Sequence, residues 1–152
     1  MSRPLVLFES ATAADADALA TLRVAAMRES LEHLGRFDPR RARDRFLATF
    51  EPAHTRHIVV DGERVGFVVL RAQGEEWLLD HLYVRPASQG RGTGTAVLHD
   101  VFACADGQGR ALRVGALRES PANRFYMRHG FDLVERAEWD NHYRRPARSV
   151  AP

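Results

Sequence analysis

Gln89-Gly90-Arg91-Gly92-Thr93-Gly94 stands between a strand-like run and a helix-like run, and no other segment constrains the fold as much. Upstream, Trp77-Leu78-Leu79-Asp80-His81-Leu82-Tyr83-Val84-Arg85-Pro86 is a largely apolar stretch of strand length that ends at a proline. Downstream, Val97, Leu98, Val101, Phe102 and Ala105 recur at helical spacing and share one face. Three glycines at alternate positions let another group approach the backbone and aim several N–H groups one way. A helix beginning there adds N–H groups with no intrahelical acceptor, together with the positive end of its dipole. Strand, glycine turn and helix start together make a cradle for a pyrophosphate.

Three glycine-rich cradles compete for this segment. A P-loop needs a lysine followed by Ser or Thr after its last glycine, and this chain has none: all 22 basic residues are arginine. A dinucleotide fingerprint needs G-x-G-x-x-G tight against the strand end. Here Gly90, Gly92 and Gly94 run G-x-G-x-G, Arg85-Pro86-Ala87-Ser88 intervenes, and no second βαβ half follows. The third option is coenzyme A. The pattern Gln89-x-x-Gly92-x-Gly94, behind an apolar strand ending in Val84-Arg85-Pro86, resembles the acetyl-CoA motif of the GNAT superfamily of N-acetyltransferases.

A second segment strengthens that resemblance. Ser120-Pro121-Ala122-Asn123-Arg124-Phe125-Tyr126-Met127-Arg128-His129-Gly130-Phe131 is similar to the later GNAT motif, a short helix carrying Phe/Leu-Tyr and closed by Gly-Phe. The stretch from Ala111 to Leu117 supplies the one strand expected between the two motifs. Local chemistry agrees: Ser120 suits an N-cap, Pro121 the first helical position and Gly130 a left-handed helix end. Many family members carry Asn where this chain has Ser120, and Asn123, one turn in, is the candidate to take over its cofactor contact.

Length and composition bound the remainder. At 152 residues the chain is expected to form one domain over residues 1–145, with 146–152 as a flexible C-terminal tail. Hydrophobic content of 45% and charged content of 28% are those of a soluble globular protein. A net charge of +2 argues against a nucleic-acid partner. The single cysteine, Cys104, excludes an internal disulfide and a cysteine-rich zinc site, and it reads as buried filler on the apolar side of its helix. No signal-like N-terminus and no apolar run of membrane-spanning length is present, so no membrane partner and a cytoplasmic location are expected.

Hydrophobic spacing orders the elements. Leu5 to Glu9 reads as a first strand, and Thr12 with Asp15 as a capping box. Leu19, Leu22, Met27, Leu31 and Leu34 mark a helix that Gly35 ends; a second runs from Arg40 to Phe50. Strands follow at Arg56 to Val60, Arg64 to Arg71 and Trp77 to Val84, turning at Asp61-Gly62 and Gln73-Gly74. After the Tyr126 helix, Phe131 to Trp139 and His142 to Arg145 read as an antiparallel pair around Asp140-Asn141. The order β-α-α-β-β-β-α-β-α-β-β gives an α/β (α+β) chain, a mixed sheet with helices on both faces. The GNAT resemblance runs from Leu5 to about Arg145 and implies a mostly antiparallel twisted sheet containing a splayed parallel strand pair.

Acyl transfer from a thioester to an amine needs a neutral amine, a donor for the developing oxyanion, a proton for the leaving thiolate, and close alignment of both reactants. The resemblance implies an acetyl-CoA-dependent N-acetyltransferase that works by direct attack in a ternary complex, with no metal. Its acceptor would be a small-molecule or peptide amine, and a homodimer through the last strands is implied as well. Backbone of Leu82, Tyr83 and Val84 would meet the pantetheine arm, with an oxyanion donor near Leu82. The pyrophosphate would rest on Gln89, Gly90, Arg91, Gly92, Thr93, Gly94 and Thr95, while Asn123, Phe125 and Tyr126 would complete the cofactor contacts. Tyr126 is the candidate acid, since a phenol with an ordinary pKa of about 10 stays protonated at neutral pH; its other reading is a core aromatic beside Phe125. Asp80 is the candidate base, against an ion pair with an arginine such as Arg113. His81 is the alternative base, against a satisfied histidine under a helix. A competing function is a non-catalytic acyl-CoA-binding or regulatory module on the same fold.

Overall fold

A computed structural model describes residues 3–149, so the last three residues of the expected flexible tail lie outside the described residues. The elements follow the expected order. Strand β1 (Leu7–Ser10) leads through a 3-10 turn (Ala13–Asp15) into α1 (Ala16–His33) and α2 (Pro39–Thr49). Strands β2 (Thr55–Val60), β3 (Glu63–Gln73) and β4 (Glu76–Val84) come next, then α3 (Thr93–Gly107), β5 (Leu112–Leu117), α4 (Pro121–Arg128), β6 (Asp132–Arg136) and β7 (Asp140–Arg145). Hydrogen bonding orders the strands β1-β2-β3-β4-β5-β7-β6, a mostly antiparallel sheet in which β4 and β5 run parallel. No helix among the described residues is long and apolar enough to cross a membrane.

The chain divides into two compact units, Met1–Val69 with His81–Val97 and Leu70–Asp80 with Leu98–Pro152. In the first, β2 pairs antiparallel with both β1 and β3. Its core is Ala11, Leu19, Ala20, Phe46, Phe67 and Val69, with Leu22, Leu47, Phe50 and Tyr83 packed against it. The chain entering α1 is fixed by polar contacts. Asp15 accepts the Thr12 N–H at 2.8 Å, as the sequence spacing predicts, and its Oδ2 lies 2.9 Å from buried His57 Nε2. Those hydrogen bonds, His57 first, hold the Asp15 carboxyl down at about 2. Helix α2 starts as its sequence dictates, with Pro39 at the first position and the Asp38 carboxylate accepting the Arg41 N–H at 3.0 Å.

In the second unit the parallel ladder runs from Trp77↔Leu112 to Leu79↔Val114, and β5 pairs with β7 along its whole length, from Leu112↔Arg145 to Leu117↔Asp140. Alternation sends Leu112, Val114 and Ala116 inward, where Tyr126, Phe131 and Tyr143 are also buried. Arg113 and Arg144 take the opposite face, where both donate to Glu76. Buried Arg145 makes two bonds to Asp106, at 2.8 and 3.0 Å, and its guanidinium lies 4.0 Å over the Phe102 ring. The Arg148 N–H donates to the same Asp106 at 2.9 Å. The last hairpin differs most from expectation: β6 ends at Arg136 rather than Trp139, and β7 begins at Asp140 rather than His142. Asp140 and Asn141 belong to β7, because they pair with Leu117 and Ala116 of β5, a partner remote in sequence. The reversal falls on residues 137–139 and is closed by the Ala137 N–H on the Asp140 carbonyl at 2.8 Å.

Candidate active site

The glycine loop has the geometry its composition predicts. Gly90 and Gly92 sit at φ +77° and +81°, values that any residue with a Cβ reaches only under strain. A Cβ on Gly90 would meet nothing within 4 Å and one on Gly92 only Pro4 Cδ at 3.6 Å, so the requirement is conformational rather than one of packing. Helix α3 begins at once: its first internal bond is the Ala96 N–H on the Gly92 carbonyl at 3.0 Å. The Thr93 and Gly94 amides therefore precede every intrahelical acceptor. Arg91, exposed between the two left-handed glycines, adds a positive charge. Open space over the glycines, amides at a helix start and an arginine suit the diphosphate of coenzyme A.

Several side chains hold the loop on its strand. The Gln89 carboxamide donates to the Val84 carbonyl at 2.9 Å. Arg85 Nε donates to buried Ser88 Oγ at 2.7 Å, and its guanidinium also reaches Glu63 at 2.7 Å. The Arg85 N–H bonds to the Val65 carbonyl at 2.7 Å, which fixes the end of β4 on β3.

Glycine is also required in the middle of β3. A Cβ on Gly66 would collide with the Tyr83 carbonyl and stand 3.0 Å from Val84 Cα. The Tyr83 carbonyl is thus aimed at β3, as is the Arg85 N–H. Backbone groups alternate along a strand, so Leu82 and Val84 direct theirs to the other edge of β4. The Val84 carbonyl on that edge is taken by Gln89. Sequence reasoning missed Gly66, although an isolated glycine inside a strand pattern is itself a signal of close backbone approach.

Tyr126 is 6% exposed on α4, its ring against Phe125 and Phe131 with centroids 5.4 Å away in each case. Asn123, one turn earlier, is saturated. Its Nδ2 donates to the Leu117 and Ser120 carbonyls, both at 2.9 Å, and its Oδ1 accepts from Asn141 at 2.9 Å and the Tyr143 hydroxyl at 2.7 Å. Its amide thus ties α4 to β5 and β7. The pattern was invisible in sequence because Asn141 and Tyr143 lie 18 and 20 residues away. Phe125 is half-buried, its ring 4.6 Å from His129, whose Nδ1 donates to the Phe125 carbonyl at 2.7 Å.

Asp80 forms an ion pair, with Arg71 rather than Arg113: Arg71 Nε donates to its carboxylate at 2.8 Å, while Arg113 is held by Glu76. His81 packs among rings, 5.4 Å from Phe46 and 5.6 Å from Tyr83 between centroids. Cys104 is exposed, not buried as expected, because the inward face of α3 is filled by Val97, Leu98, Val101 and Ala105. Glu32 pairs with Arg28 at 2.7 Å on an exposed helix face, and Arg43 pairs with Asp17. Among the described residues no group of three or more His, Cys, Asp or Glu could hold a metal ion.

Comparisons with known proteins agree with this fold. Residues 53–133 match the family profile described as acetyltransferase (GNAT) domain. The fold is similar to that of the PaiA N-acetyltransferase of Thermoplasma acidophilum in complex with coenzyme A, at 14% identity and a TM-score of 0.76, covering 96% of this chain and 99% of that one. An acetyltransferase from Thermus thermophilus aligns at 21% identity and TM-score 0.72, covering 96% and 99%. The ribosomal-protein-S18-alanine N-acetyltransferase of Escherichia coli aligns at 16% identity and TM-score 0.70, covering 97% of each chain. No curated protein sequence matches significantly. Since the profile spans more than half of its length and both GNAT-like motifs, this chain belongs to the GNAT acetyltransferase family.

Proposed function

We propose that this acetyltransferase moves an acetyl group from acetyl-CoA to a primary amine by direct attack in a ternary complex. The observation that carries the reading is the pair of left-handed glycines, Gly90 and Gly92, set directly at the start of α3. In this reading the amides from Gln89 through Thr95 hold the pyrophosphate, and the Leu82–Val84 edge of β4 hydrogen-bonds the pantetheine arm. The Leu82 N–H, directed away from β3, is suited to the developing oxyanion. Tyr126 donates a proton to the departing sulfur, with Phe125 beside it in the cofactor contacts and Asn123 holding their helix. The ion pair with Arg71 favours a structural role for Asp80 over that of base. Exposed strand β6 favours a second copy of the chain as a weak partner. The acceptor is a small-molecule or peptide amine, and a cytoplasmic setting with no nucleic-acid or membrane partner suits that chemistry.

Calorimetric titration with acetyl-CoA tests the reading, followed by thiol release over n-butylamine, benzylamine, lysine methyl ester and a peptide with a free N-terminus. Binding with release is expected. Tyr126→Phe should keep acetyl-CoA affinity within about twofold while turnover falls by ~10²-fold, the usual scale of a positioned acid. Binding without release on any amine would turn the reading toward a non-catalytic acyl-CoA-binding module. Absence of binding would remove coenzyme A from the glycine loop.

A further inference from the structure

We propose that His142 takes the proton from the acceptor amine, an inference that rests on the acetyl-transfer reading of the same fold. Direct attack needs a free amine, and most primary amines carry a proton at neutral pH. The reaction therefore needs a proton acceptor on the acceptor side. Imidazole is the side chain whose ordinary titration range suits that task.

Strand β7 alternates. Tyr143 and Arg145 are buried, whereas Asp140, His142 and Arg144 take the opposite face. Its cross-strand partners there are Gly115 on β5 and Glu135 on β6. Gly115 matters because it has no side chain. A Cβ built on it would stand 3.5 Å from His142 Nδ1 and 3.7 Å from Cε1, so the imidazole lies folded across the glycine. Gly115 directly follows Val114, the last β5 residue registered with β4. The ring thus stands at the point where the parallel ladder stops and only one edge of β5 is still paired. Both Gly115 and His142 are exposed, which leaves room for an acceptor over them.

Charges around the ring suit a cationic amine. Glu135 faces it from β6, Asp140 flanks it on β7, and Asp132 stands opposite Arg144. The arginines that share this face on β5 and β7, Arg113 and Arg144, both donate to Glu76 of β4, at 2.8 and 3.1 Å. Asp80 on the same face of β4 is engaged by Arg71 at 2.8 Å, and using it as base would break that pair. The other two histidines of this unit lie elsewhere, His99 on α3 and His129 just past the end of α4.

The step balances as follows. The ammonium gives one proton to the imidazole, and the freed nitrogen lone pair forms the new C–N bond at the thioester carbon. The C–S bond breaks, its electron pair stays on sulfur, and the second amine proton ends there as thiol. The exposed imidazolium then returns its proton to solvent.

The test uses His142→Ala in the full chain, with the best acceptor of the amine panel at saturating acetyl-CoA. Acceptor kcat/KM is expected to fall by ~10²-fold at neutral pH. The acidic limb of the wild-type profile should move to the basic side, where free amine is abundant. Added imidazole should restore part of the rate, which a merely structural role would not allow. Titration with acetyl-CoA should be unchanged, showing an intact fold and cradle. An unaltered rate and acidic limb would overturn the role of His142 and leave acetyl transfer standing. Wild-type protein that binds acetyl-CoA but acetylates no amine would overturn both.

Discussion

A single methyl group would do the most harm at Gly66. Glycine there lets β3 accept the Tyr83 carbonyl at a distance no Cβ tolerates, and the clashing atom is backbone, which cannot swing away as a side-chain tip would. Gly66→Ala should therefore cost about 1–3 kcal/mol in chemical denaturation, the usual scale of overpacking. It should also weaken acetyl-CoA binding, since moving Tyr83 and Val84 shifts the Leu82–Val84 edge proposed to meet the arm. Full affinity in a destabilised variant would separate the Leu82–Val84 edge from the cofactor. Asp15 makes a different residue-scale prediction. Its carboxyl is held at about 2, below its ordinary 3.8, chiefly by the hydrogen bond from His57. A depressed folded-state pKa means that the stabilisation is complete above 3.8 and vanishes as pH falls through about 2. Asp15→Asn should be less stable than wild type near neutral pH, and the difference in urea midpoint should shrink on acidification towards 2. A difference that stays constant down to that pH would mean that His57 does not hold the carboxylate.

Between elements, the strongest constraint in the second unit joins the end of α3 to β7. Arg145 is 2% exposed and its charge is met by both oxygens of Asp106, whose carboxyl is held below the usual range by that guanidinium. Removing one member of a buried pair leaves the other charge uncompensated, which typically costs ~3–5 kcal/mol. Asp106→Ala should lose that much in denaturant titration, and the Arg148 N–H loses its acceptor in the same variant. A loss below about 1 kcal/mol would mean water reaches Arg145 and solvates it, as in an exposed pair. Neither partner could be chosen from sequence, because 39 positions separate them and the chain offers 22 arginines. What could be read was local. Thr12 with Asp15 gave the entry to α1, and glycines flanked by a strand and a helix gave the left-handed turn before α3. Nearest-neighbour chemistry decides such features within a few residues. Where a remote partner decides, sequence reading stopped: Asp80 met Arg71 instead of Arg113, and Asp140 joined β7 instead of a turn. Cys104 failed for another reason. Apolar periodicity defines a stripe about 100° wide, and a residue at its margin can fall on either side.

At the scale of the molecule the open question is association, and the β6 edge sets its strength. All five residues of β6 are exposed, including Leu133 at 39% and Val134 at 50%, and the strand is last in the sheet order. Unpaired edges invite pairing. Antiparallel pairing of two copies about Val134 would set Asp132 against the partner's Arg136 and Leu133 against the partner's Glu135, so the charges favour self-recognition. Two features limit it. The register of β6 on β7 shifts between Leu133 and Glu135, which twists the edge, and a pair of five-residue strands buries far less than the roughly 1,000 Å² of a stable interface. Complementary charge on a short bulged edge amounts to weak self-association, seen only at high concentration. Light scattering should therefore report a monomer in dilute solution and a mass that rises with concentration. Val134→Lys should abolish the rise by placing like charges opposite each other at the symmetry axis. A mass that does not change with concentration would remove β6 as a contact. A dimer that survives both dilution and Val134→Lys would require a different and larger surface.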